Sequence, residues 1–192
     1  MNKGWLRFHR GFIIILLVIF LSGCAFATRK TFLEYKAITP IRNPNNVTIE
    51  VTPFEDDRPN RDTIGNVKNI FGVKTANILS EINISQWITD ALKSELENAG
   101  YKIVEKGTRN KIQGIVMKVY CNTLVDYQGE VIIKVLLKRQ NNILLNKVYY
   151  GQSSSLSGVV VLTLKSYRNI LEKSLQQAMI QVVSDVDEIL RK

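Results

Sequence analysis

The first 24 residues constrain what the rest of the chain can build. Lys3, Arg7 and Arg10 give a positive start, Phe12 to Leu21 is an unbroken apolar run, and the small pair Ser22-Gly23 leads into Cys24. Basic, then apolar, then small is the layout of a secretory signal that is removed on export. The apolar run is too short for a membrane-spanning helix, which needs about 20 residues. Extended to Ala27 it is broken by Ser22, Gly23 and Cys24. An uncleaved membrane anchor stays open as the alternative. The fold must therefore come from residue 24 onward, a length sufficient for one domain with its own core. Loss of Lys3, Arg7 and Arg10 lowers the net charge from +9 to +6, and His9, the single histidine, leaves with the leader.

Leu21-Ser22-Gly23-Cys24 resembles the lipobox of bacterial lipoproteins. The resemblance implies a diacylglycerol on the Cys24 thiol and a cut just before it, with residues 1–23 as the cleaved signal. Residues 24–46 then serve as lipid anchor and tether, and 47–192 as a periplasmic domain. The tether holds Arg29-Lys30, Pro40, Pro44 and three asparagines without sustained periodicity. As a flexible coil, about 20 such residues span roughly 25 Å, and the stretch near Phe32 to Ile38 is a candidate extra strand. A lipidated Cys24 cannot pair with Cys121, so no internal disulfide supports the domain.

Val47 to Thr52 alternates apolar and polar residues, the pattern of a strand. Pro53, Pro59 and the polar run Glu55 to Asp62 end it. Thr63 to Leu79 has no clean period and reads as a long loop. Ile84 to Ala99 carries one apolar stripe at helical spacing, with Asn83 as cap, Gln86 three residues on, and Gly100 as the stop. Tyr101 to Glu105 and Ile112 to Cys121 read as strands, the latter with Ile115, Met117, Val119 and Cys121 on one face. A strand through Val131 to Leu137 turns at Asn141-Asn142 and returns over Ile143 to Tyr150. Gly151 to Gly158 reads as irregular. A last helix runs from a Ser166 cap through Ile189. The order strand, helix, four strands, helix predicts an α+β two-layer sandwich: a four- to five-stranded, mostly antiparallel sheet with two helices on one face.

Chemistry is sparse. Without histidine in the exported chain, Ser-His-Asp and Cys-His catalysis and His-dependent zinc sites are absent. No GxSxG, P-loop or GxGxxG motif occurs. No catalytic residue, metal or cofactor is expected. Glu55, Asp56, Asp57 and Asp62 form the one acidic cluster. It lacks the spacing of a calcium loop, and the interleaved Arg58 and Arg61 favour a solvated turn held by local pairs. A carboxylate enzyme at Asp56, Asp57 and Asp62 is the minor alternative. Cys121, on an apolar strand face, reads as a buried small hydrophobe, with a thiol pairing between subunits as the alternative. Trp87 reads as a core anchor.

Charge is more informative. Tyr101 to Tyr150 carries nine basic residues against Glu105, Asp126 and Glu130. Lys118, Lys134 and Lys138 fall on the strand face opposite the apolar one. They are expected to stand beside Ile132 and Leu136, on a face suited to an anionic glycolipid or an acidic envelope protein. The competing reading is that these lysines only prevent sheet aggregation. Nucleic acid is not an expected partner of an exported, lipid-anchored domain.

Several positions together resemble the YajG family of bacterial lipoproteins. They are the lipobox, Asp57-Arg58 and Ile64-Gly65 after the first strand, Trp87 with Ala91-Leu92 and Leu96, Gly100-Tyr101, and Tyr150-Gly151 before the last helix. The resemblance implies a non-enzymatic envelope lipoprotein. Ala25 after Cys24 is similar to outer-membrane-sorted lipoproteins, which implies a place on the periplasmic side of the outer membrane. The element order also resembles LptE, a lipoprotein supporting lipopolysaccharide assembly, and that likeness implies a lipid-binding or transport-assembly role.

Overall fold

The computed structural model describes residues 27–42, 46–69, 71–123, 126–156 and 163–191. The expected signal and Cys24 lie outside the described residues. In chain order the elements are β1 (Ala27–Thr31), β2 (Thr48–Val51), β3 (Glu55–Asp56), β4 (Gly65–Lys68), β5 (Lys74–Ser80), α1 (Ile84–Ala99), β6 (Lys102–Val104), β7 (Asn110–Thr123), β8 (Asp126–Arg139), β9 (Asn142–Leu156) and α2 (Leu164–Leu190).

Three long antiparallel strands, β7, β8 and β9, form the frame. Alternation drives it: Tyr127, Val131, Ile133, Val135 and Leu137 of β8 all point inward and are buried. The other edge of β7 takes β2, β3 and β4 in succession, each parallel to it. Beyond them β6 pairs with β2, β5 with β4, and β1 with β5.

The α+β class stands, but the expected small antiparallel sheet does not. The described residues form a nine-stranded mixed sheet. The additions are short. Residues 63–79, expected as a loop, form the β4–β5 hairpin and bury Ile64, Val67, Ala76 and Ile78. Strands of two to seven residues take their stability from neighbouring strands and the core, and give little length over which to show a period. Gly151 to Leu156, expected to be irregular, continues β9. Gly151 is needed there, because a Cβ would sit 1.8 Å from the Ser174 carbonyl oxygen of α2.

A register shift between Val116 and Lys118 divides β7. Ile112 and Val116 face inward before it, Val119 and Cys121 after it. A bulge of this kind reverses the alternation. Ile115 and Met117 therefore do not share a face with Val119 and Cys121 as the simple period predicted.

The helices pack on one another and on the same side of the sheet, α2 over β7–β9 and α1 over β2, β3 and β6. Asn83 caps α1, its side chain accepting from the Gln86 amide at 3.0 Å, and Gly100 ends it at φ 101°. The Gln86 side chain turns instead to Asp90, so the capping box is half formed. The last helix starts earlier than expected, with Thr163 as its cap and not Ser166.

The expected tether is largely bound to the domain. After β1, residues 32–42 cross both helices as a strap. Leu33 is buried, and the Trp87 indole N–H donates to the Glu34 carbonyl at 3.1 Å. Buried Glu95 accepts from the backbone N–H groups of Ile38 and Thr39 and from the Tyr35 hydroxyl. Glu172 and Gln176 of α2 hold the Lys36 backbone, and Asp187 faces Arg42 at 3.7 Å.

Candidate functional site

Because both helices occupy one side, the opposite face of β7–β9 has no covering layer among the described residues. The pairing register sets its side chains. Lys111 stands opposite Lys138, Gln113 opposite Leu136, Ile115 opposite Lys134, and Lys118 opposite Ile132. On the far side of β8, Ile132 faces Tyr150, Lys134 faces Val148, and Lys138 faces Ile143. Residues directly opposite share a face, so Lys118, Lys134 and Lys138 all lie on the outer surface beside Ile132 and Leu136.

The three lysines are not equivalent. Lys118, on the bulge, pairs with Glu130 at 2.5 Å. Lys111 pairs with Glu50 at 2.9 Å, which relieves its like-charge contact with Lys138. No ion pair joins Lys134 or Lys138 to a described residue. Tyr150, 56% exposed, Met117, 40% exposed, and Ile143, 59% exposed, add apolar surface. One depression of about 370 Å³ is lined by Glu55, Ile115, Lys134, Leu136, Ile143 and Asn146. A more polar one of about 670 Å³ runs along Lys118, Tyr120, Asn122, Gln128 and Glu130. Sequence reasoning missed Lys111, Ile115, Met117, Tyr150 and Ile143 as parts of this face. The β9 residues were legible from alternation, whereas the β7 residues were concealed by the bulge.

The acidic cluster is divided by its arginine. The Arg58 guanidinium, almost fully buried, grips both Asp56 oxygens at 2.8 Å and donates to the Arg61 and Thr63 carbonyls. Its hydrogen bonds hold the Asp56 carboxyl below the usual range, against the opposing effect of burial. Asp57 and Asp62 are exposed. This is the local Arg–Asp turn expected from the sequence, and it occupies the one carboxylate that is partly buried. Cys121 is fully buried, and burial pushes its thiol up to about 12. Its thiolate, the reactive form, is suppressed. Trp87 is a core side chain that also pins the strap.

Residues 37–188 match the sequence family described as uncharacterized lipoprotein. The chain belongs to this lipoprotein family. A lipoprotein is held at an envelope membrane by its lipid, and no helix among the described residues is long and apolar enough to cross a membrane. No curated protein matches the chain. Among solved structures, protein XCC0632 from Xanthomonas campestris is similar at 9% identity and TM-score 0.61, covering 83% of this lipoprotein and 96% of that chain. A second structure, of an uncharacterized protein, is 11% identical with TM-score 0.55, covering 83% and 99%. The hypothetical protein CT253 from Chlamydia trachomatis is 5% identical with TM-score 0.51, covering 76% and 98%. At these identities the likeness is one of fold.

Proposed function

We propose that this lipoprotein is a non-enzymatic interaction module, anchored through Cys24 to the periplasmic side of the outer membrane, whose open β7–β9 face receives an anionic envelope partner. The observation that carries the reading is Lys134 and Lys138, in no ion pair with a described residue, beside Leu136, Ile143 and Tyr150 on a sheet face without a covering layer. A contiguous apolar surface mixed with cations is what a docking face for a negatively charged partner needs. Ala25 after Cys24 supports the outer membrane, and the finer resemblance to YajG lipoproteins belongs to the same reading.

A second reading, an anionic glycolipid as the occupant, is favoured by one feature. The depression around Ile115, Leu136 and Ile143 carries Lys134 at its lining, so an apolar floor lies beside a cation. Both readings meet in one experiment. A photo-crosslinking residue at Tyr150 is activated in intact cells, with Lys118, Lys134 and Lys138 either intact or all changed to Glu. The triple variant is expected to lose the adduct while keeping its circular dichroism. Lipopolysaccharide in the adduct selects the glycolipid, and polypeptide selects the protein partner. The same adduct at the same yield in both chains would remove the docking face.

A further inference from the structure

We infer that the tip of the β4–β5 hairpin is a second membrane contact, placed by the fold to enter the lipid headgroup layer beside the Cys24 anchor. The inference rests on the lipidation reading and adds a surface to it. β1 runs parallel to β5, with Ala27 level with Ala76 and, across β5, with Val67. β1 therefore begins at the end of the sheet where the β4–β5 hairpin turns. Cys24 lies three residues before Ala27, and Val73 lies three residues before Ala76 on the neighbouring strand. At no more than about 3.3–3.6 Å per residue, three residues of chain keep Cys24 within roughly 10 Å of the rung from which the tip projects, whatever path they take. A lipid on Cys24 thus brings the tip to the bilayer surface.

The tip has the composition such a contact needs. Phe71 is 82% exposed and Val73 59% exposed. Lys68 and Lys74, cross-strand partners, flank them. Arg29 and Lys30 are exposed on β1. An aromatic and an aliphatic side chain between cations match an interface of acyl chains below and anionic headgroups above. Asp126, at the same end of the sheet, is the acidic group nearest in register, and its carboxylate accepts from Gln128.

The tip is also held in shape. The Asn69 side chain accepts from the backbone N–H groups of Phe71 and Val73, both at 3.0 Å. The Gly72 N–H closes back on the Asn69 carbonyl at 2.9 Å, and Gly72 takes φ 78°, a conformation that favours glycine. Phe71 is therefore presented outward without loop ordering on contact. The strap that follows β1 is itself bound to both helices, so β1 is tied to the rest of the domain.

The test uses the full lipidated chain carrying Phe71→Trp, reconstituted in vesicles of zwitterionic and anionic phospholipid with brominated acyl chains. The parental chain serves as the blank for Trp87 and for any uncleaved Trp5. Val73→Trp is the companion variant. Both positions are exposed, so neither exchange disturbs the core. The expected result is a blue-shifted added emission that the brominated lipid quenches in flotation-purified vesicles. Protein that floats with an unquenched, water-like added emission overturns the tip contact and leaves the anchor standing. Protein that does not float overturns the anchor, and with it the inference.

Discussion

Arg58, Glu95 and Asp187 are the buried charged side chains among the described residues. Arg58 and Glu95 hold backbone that has no strand partner. Asp187 meets the Arg42 and Arg191 guanidinium groups and the Tyr101 hydroxyl. Arg58 gathers the turn after β3, while Glu95 and Asp187 hold the strap. A buried charge is tolerated only when it is paired and hydrogen-bonded, so these contacts are specific. Asp56→Asn is expected to destabilise the domain at pH 7 by about 2 kcal/mol, less than for a fully buried pair because Asp56 keeps some solvent contact. The folded-state pKa of Asp56 is depressed. Its contribution is therefore complete above the unfolded value of about 4 and is lost as pH falls through the folded one. Urea denaturation should show the variant's deficit at pH 7 shrinking below about pH 4, and a pH-independent deficit would contradict the assignment. The Arg–Asp pairing was legible because the residues are neighbours. Glu95 was not, because its donors lie 56 and 57 residues away and the helical stripe around it reads as apolar.

The two helices were legible because their periods repeat over 16 and 27 residues. The frame strands were legible for the same reason. Of the short strands, β2 and β6 were legible in residues 47–52 and 101–105, whereas β1, β3, β4 and β5 were not; β3 pairs through only two residues and takes its place from β7. The strap is the clearest case of an element defined by its partners. It belongs to the stretch read from the sequence as a tether, without sustained periodicity, yet helix side chains satisfy its backbone. Glu95→Gln keeps the shape but turns one acceptor oxygen into a donor facing the Tyr35 hydroxyl or the Ile38 and Thr39 N–H groups. It is expected to cost about 2–3 kcal/mol and to raise amide exchange across residues 35–42, with α1 and β7 still protected. Hydrogen exchange read by mass spectrometry checks this, and unchanged strap protection would refute it.

At the scale of the molecule, the candidate face was legible where alternation was regular. Lys134 and Lys138 stand where β8 predicts, whereas Lys118 sits on a bulge that no period announces and is tied to Glu130. The proposed anchor rests on simple energetics. Each buried methylene contributes about 0.8 kcal/mol, so two or more acyl chains hold a protein that one releases. Cys24→Ala is expected to abolish incorporation of labelled fatty acid and leave either an unprocessed precursor or protein in the soluble fraction. Labelling and fractionation of cells measure both, and a variant processed and retained like the parent would refute lipidation. The strap has a temporal consequence as well. Its bonds to Glu172, Gln176 and Arg191 span 136, 140 and 149 positions, so under the proposed export the leading part of the domain is completed by the last to emerge. Contacts so distant along the chain form slowly. A copy exported in that way passes through an interval in which its leading segment waits, unclasped, for the final helix to arrive.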